Sequence, residues 1–144
     1  QIRSSAASDV YKRQRLIGIN KALELCYTGK VISAEEAKEI RLVSEILNQD
    51  KLIDRALEIA KEFTAESSQI SIALTRQMMW RMLGADDPME AHKIDSRAVF
   101  ELGQSREAIE GVNSFLEKRP PSFPGKVSKD MPSFFPWWDE KEFE

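Results

Sequence analysis

One cysteine, Cys26, and one histidine, His92, are all that 144 residues hold of two side chains much used for metal binding and nucleophilic chemistry. A single cysteine forms no intrachain disulfide and builds no cysteine–zinc cluster. A single histidine leaves no His-rich metal site, and any Ser-His-Asp relay would depend on His92 alone. Charge of one sign is scarce as well: 21 Lys and Arg stand against 24 Asp and Glu, a net charge of −3. That balance supplies no global field for nucleic acid or an anionic membrane. No apolar run approaches the roughly 18 residues of a membrane span, and no signal peptide is readable. A reducing, cytoplasmic home is the expectation.

What is present is ordinary for about one soluble domain, with 42% hydrophobic and 31% charged residues. Gln1–Gln14 stands apart. It is small and polar, lacks periodicity, and reads as a non-native leader, expected to be disordered and dispensable. From Leu16 to Tyr27 a short helical pattern runs, closed by Gly29 as its left-handed cap. Ser33 to Glu36 is a capping box that opens a second helix to about Ile40. Leu42–Leu47 is β-rich and is the one expected strand. Asp50 is expected to cap a helix to about Ala65, with Leu52, Ile53, Ala56, Leu57, Ala60 and Phe63 on its buried face.

Ser67 or Ser68 opens the next helix, to about Leu83. Ile70, Ala73, Leu74, Met78 and Met82 form one apolar stripe, and Ile72, Met79 and Leu83 beside Trp80 form another. A helix apolar on two sides needs cover on both. Asp87-Pro88-Met89-Glu90 combines a cap, a proline at the first helical position and a glutamate at the third. That helix runs to about Leu102 and ends at Gly103. From 119 to 144 five of the six prolines crowd among Phe123, Phe134, Phe135, Trp137 and Trp138. This composition favours extended chain, either a strap packed on the helices or a peptide offered to a partner.

Ser105 opens the last helix, where Ile109, Val112, Phe115 and Leu116 recur at helical spacing. Phe115 and Lys118 are three apart and share a face near its end. Two readings are open here. An apolar wall with a cation beyond it suits an elongated ligand carrying an oily segment and a phosphate. Alternatively, Phe115 is core, and Lys118 with Arg119 complements the helix dipole.

RLIG at Arg15–Gly18, ALELCYTGKVISAEEAKEIRLVSEI at Ala22–Ile46 and EGVNSFLEKRPPSF at Glu110–Phe123, in that order, resemble the C-terminal half of the crotonase (enoyl-CoA hydratase/isomerase) superfamily. DMPSFFPWW resembles a bacterial sub-branch of its hydratase-like members. Arg41 departs from the pattern, standing where the family usually has glycine. The resemblance implies a mainly α fragment with one short strand, the helical trimerisation portion of the α/β crotonase fold, spanning 15–118 before the 119–144 tail. It implies an acyl-CoA substrate, no cofactor beyond the coenzyme A of that substrate, and a homotrimer or hexamer in the intact parent. The expected activity is enoyl-CoA hydration, with isomerase, dehydratase or hydrolase chemistry as relatives.

The resemblance places the oxyanion donors and catalytic carboxylates upstream of Arg15, so no catalytic and no metal residue is assigned. Glu24, Glu35, Glu36 and Glu110 read as surface or capping acids. The substrate-binding candidates carried over are Phe115, as an apolar wall, and Lys118, as a point charge for a coenzyme A phosphate. His92 reads as a surface or interface residue, Cys26 as a core thiol, and Met78, Met79 and Trp80 as packing residues. From another class comes the alternative of a self-standing helical interaction module using its aromatic tail as a ligand.

Overall fold

The computed structural model describes residues 12–140, and the chain gathers into two compact units, Gln1–Ile53 and Asp54–Glu144. The leader reading of Gln1–Gln14 lies, for residues 1–11, outside the described residues.

In the first unit, α1 (Gln14–Ile17) passes into α2 (Ile19–Thr28) through Gly18, whose φ of 79° no β-carbon-bearing residue adopts easily. Gly29 closes α2 in the left-handed region, as its sequence position predicts, and its N–H returns to the Leu25 carbonyl at 3.1 Å. Ala22 and Leu25 are the buried residues of α2. Cys26 is exposed, which corrects its expected place in the core. It sits one step of 100° beyond Leu25, and the narrow buried stripe of a short helix does not reach it. α3 (Ala34–Glu39) starts on Ser33, whose Oγ accepts the Glu36 N–H at 3.1 Å. Lys30 and Lys21 then hold the Glu36 carboxylate at 3.1 and 3.6 Å.

The expected strand at Leu42–Leu47 is not there, and among the described residues no strand forms at all. The cause is local. Arg41 adopts φ 62°, and the amides after it turn back to cap α3: Leu42 N–H reaches the Ala37 carbonyl at 2.8 Å and Val43 N–H reaches it at 3.3 Å. Those donors are spent on a helix end, and a lone β-prone segment without a ladder partner has no reason to extend. Arginine in this conformation costs on the order of 1 kcal/mol against glycine.

A 3₁₀ turn at Gln49–Lys51 leads into α4 (Leu52–Ala65), so Asp50 lies within that turn and does not cap the helix as expected. The buried face assigned to α4 is another correction. Leu52, Ile53, Leu57 and Phe63 are exposed, and no residue of α4 is buried. Amphipathic spacing shows that a face wants cover without saying which surface supplies it.

The second unit is built on α5 (Gln69–Met82), α6 (Pro88–Gly103) and α7 (Arg106–Glu117), with α6 packed against both of the others. Their starts are capped by Ser68, Asp87 and Ser105, which accept the N–H groups of Ser71, Met89 and Ala108. The first stripe of α5 supplies the core: Leu74 is 1% exposed and clusters with Ile70, Ala98 and Phe134. Its second stripe is open. Ile72, Met79, Trp80 and Leu83, with Phe63 of α4, line a groove of about 890 Å³.

The 119–140 segment is a strap, without regular helix or strand. Phe134 enters the core, Met131, Phe135 and Trp137 pack beside it, and Glu101 accepts both the N–H and the hydroxyl of Ser133. The Arg97 guanidinium lies 4.8 Å from the Phe134 ring centre and that of Arg81 lies 3.3 Å from the Trp138 ring centre. Such contacts add about 0.5–2 kcal/mol each. A tail engaged in this way is not a free ligand for a partner.

Candidate functional site

α7 is turned with its apolar side outward. Glu107, Glu110, Gly111 and Ser114 share one face by their spacing, and that face receives the strap. The Phe123 ring lies 3.9 Å from where a Gly111 Cβ would stand. Gly125 N–H donates to Glu107 Oε1 at 2.7 Å, and Ser122 N–H donates to Glu110 Oε1 at 2.6 Å. A Cβ at Gly125 would sit 2.5 Å from Ile70 Cδ1 and 2.8 Å from Glu107 Oε1, so those side chains would have to shift to admit one. The opposite face carries Ile109, Val112, Phe115 and Leu116, all exposed, with Phe115 at 82%. Phe115 is therefore not core.

Lys118 ends the helix with φ 52° and ψ 41°. Its N–H returns to the Phe115 carbonyl at 3.3 Å, and the Arg119 N–H returns to the Ser114 carbonyl at 3.1 Å. Together these make the reversal usually reserved for glycine. Among the described residues no carboxylate pairs with the Lys118 ammonium, which is exposed. Phe115 is exposed on the outward apolar face, and Lys118 follows it as the exposed left-handed residue that ends the helix. They do not line a closed cavity of this chain.

Sequence reasoning missed the node beside them. Arg119 Nη1 and Nη2 grip both oxygens of Glu110 at 2.6 and 2.9 Å, and its Nε holds Glu117 at 2.6 Å. Arg119 is thus engaged by its own chain's carboxylates and is not the spare dipole-complementing charge it resembles. Nine residues separate Glu110 from Arg119, across a reversal that helical spacing does not cross. Only the left-handed Lys118 makes them neighbours.

The Arg119 fork, seconded by the Ser122 N–H, holds the Glu110 carboxyl down to about 2, below its usual 4.5. A depressed carboxyl contributes stability that is complete above about 4.5 and is lost as pH falls through about 2. Accordingly, amide exchange at Ser122, normalised for intrinsic rate, is expected to stay slow down to pH 3 and to accelerate nearer pH 2. Acceleration already at pH 4 would contradict the pairing.

One further carboxylate is unusual. Glu107 is 6% exposed and its Oε2 has no hydrogen-bond partner in the protein. It lines a cavity of about 420 Å³ with Ser105, Arg106 and Asp130. Among the described residues no three His, Cys, Asp or Glu side chains gather as metal ligands, and no helix is long and apolar enough to cross a membrane. His92 is exposed on α6, and Glu24 is paired with Lys21 on the surface.

The enoyl-CoA hydratase/isomerase family model matches residues 4–126. The chain is 40% identical over 124 residues to an enoyl-CoA hydratase of Alternaria alternata, covering 85% of this chain and 41% of that protein. It is 33% identical over 109 residues to one of Mycobacterium tuberculosis, covering 76% and 40%. A crystal structure of enoyl-CoA hydratase from Bacillus anthracis superposes with a TM-score of 0.75 at 31% identity, covering 83% of this chain and 46% of that one. The chain thus spans 40–41% of the length of these two relatives. It belongs to the enoyl-CoA hydratase/isomerase family, the crotonase superfamily.

Proposed function

We propose that this chain is the helical C-terminal part of an enoyl-CoA hydratase-like enzyme, which adds water to a 2-enoyl-CoA thioester. In this reading the thioester oxygen, which becomes an enolate oxygen as water adds, is held by two backbone N–H donors. Two carboxylates handle the water and the proton at the α-carbon. In this reading the donors and carboxylates lie outside this chain, which covers 41% of the Alternaria relative. What this chain supplies is a wall and a charge. Phe115 lies along the apolar part of the ligand, and Lys118 meets a phosphate of coenzyme A, with no separate cofactor.

The carrying observation is the outward Phe115 face ending in an unpaired Lys118 held at φ 52°. A β-carbon in that region is strained by about 1–2 kcal/mol, and retained strain is a mark of functional positions. The exposed apolar faces of α4 and α7 also fit burial between subunits of a homotrimer or hexamer. A cytoplasmic setting, without nucleic acid or membrane partners, completes the reading.

The experiment is amine footprinting of the full chain with acetic anhydride, with and without coenzyme A whose thiol is capped by S-methylation so that it does not consume the reagent. At a Kd near 1 mM, 1 mM ligand fills about half the sites and slows Lys118 acetylation roughly twofold. Lys126 and Lys129 serve as internal controls and are expected to label unchanged. Equal labelling of Lys118 with and without coenzyme A would contradict its ligand role.

A further inference from the structure

Two cations stand side by side at the end of α7, and the geometry separates their tasks. Every donor nitrogen of Arg119 is engaged within the chain: Nε on Glu117, Nη1 on Glu110 and on the Pro120 carbonyl at 3.2 Å, and Nη2 on Glu110. Lys118, one residue earlier, has no such partner among the described residues. Arg119 holds the Glu110 and Glu117 carboxylates, and neither pairs with Lys118. The same Glu110 carboxylate also accepts the Ser122 N–H, so one side chain ties the helix to the chain on the far side of the reversal.

We propose that Glu110 and Arg119 are positioning residues for Lys118, an assignment that rests on the reading of Lys118 as the phosphate-facing cation. The pair does this in two ways. It braces the left-handed turn, so that Lys118 leaves the helix end in one direction beside Phe115. It also ties the chain beyond the reversal back to α7 through the Ser122 N–H, so that the turn carrying Lys118 is held from both sides. A bidentate carboxylate–guanidinium fork suits this task better than a single contact, because it fixes orientation as well as distance. The rigid Pro120-Pro121 pair that follows limits the ways the chain can leave the turn.

The test uses the full chain and two variants. Glu110→Gln retains an acceptor for Ser122 but loses the ionic fork and makes the site more positive. Arg119→Lys retains the charge and loses the fork. If positioning governs, both variants speed hydrogen exchange at the amides of Arg119 and Ser122 about tenfold. Both also weaken coenzyme A at Lys118 about fivefold, so that the twofold slowing of acetylation by 1 mM ligand falls to about 1.2-fold. In the Lys118→Ala background, Glu110→Gln is expected to leave residual coenzyme A binding, read by calorimetry, unchanged. A purely structural role would not show that dependence.

The outcomes separate cleanly. Faster amide exchange with undiminished footprint protection makes the node a structural clip only and overturns the proposal. Stronger protection in Glu110→Gln shows that net charge governs, and also overturns it. Absence of any coenzyme A protection in the unaltered chain removes the reading beneath it, and the proposal with it. Arg119→Lys guards against a Glu110→Gln chain that does not fold.

Discussion

Phe134→Ala is expected to destabilise the second unit by about 3–5 kcal/mol, the range for removing a buried aromatic ring from a packed core. Phe134 is 6% exposed and touches the only core cluster of the described residues, made with Ile70, Leu74 and Ala98. It also carries the ring that Arg97 covers and one partner of the Trp137 pair, at a centroid distance of 6.1 Å. A loss of that size is a large part of the 5–15 kcal/mol that holds a typical domain folded. Urea unfolding followed by tryptophan fluorescence reads it directly, because Trp137 and Trp138 sit beside the site. Phe135→Ala, at a half-buried position, is expected to cost less. Equal midpoints for Phe134→Ala and the unaltered chain would show that the strap is a loose appendage.

The second large effect is an absence of catalysis. This chain alone is expected to hydrate crotonyl-CoA no faster than buffer. The proposed mechanism needs a preorganised oxyanion hole, whose donors are each worth about 10²–10³ in rate, and two free carboxylates near the α- and β-carbons. The carboxylates that α7 offers are engaged otherwise: Glu110 and Glu117 by Arg119, and Glu107 in part by Gly125 N–H. Loss of the ultraviolet absorbance of the conjugated enoyl thioester, as water adds across its double bond, would follow turnover. A rate above the blank that persists through successive purification steps, and that falls on Glu107→Gln, would place chemistry in these helices and overturn the assignment.

How far the sequence could be read differs from one element to another, for physical reasons. Helix starts were legible because they are local: Ser33, Ser68, Asp87 and Ser105 each cap within three residues of themselves. Gly29 was legible for the same reason. Leu42–Leu47 was misread because β-propensity describes a pleated, paired surface, and no pairing edge exists among the described residues. The α4 face and the second stripe of α5 were read correctly as apolar. Their burial was not readable, since hydrophobic spacing names no partner. Spacing set Phe115 and Lys118 three apart near one helix end, but the left-handed turn at Lys118 lies outside what helical spacing describes. That Phe115 points outward follows from Gly111 and Ser114 receiving the strap, a long-range choice that periodicity does not contain. Arg119 was hidden for a related reason, its partner lying across a left-handed turn that takes lysine in place of glycine.

The apolar faces of α4 and α7 are exposed, with Leu57, Phe63, Val112 and Phe115 all open, and the proposed reading has other protein cover them. Light scattering across a dilution series of the purified chain tests it most directly. Exposed patches of several hundred Å² drive association, so species heavier than the 16.5 kDa chain are expected to persist on dilution. A compact, dilution-stable monomer of 16.5 kDa that melts cooperatively would contradict the claim.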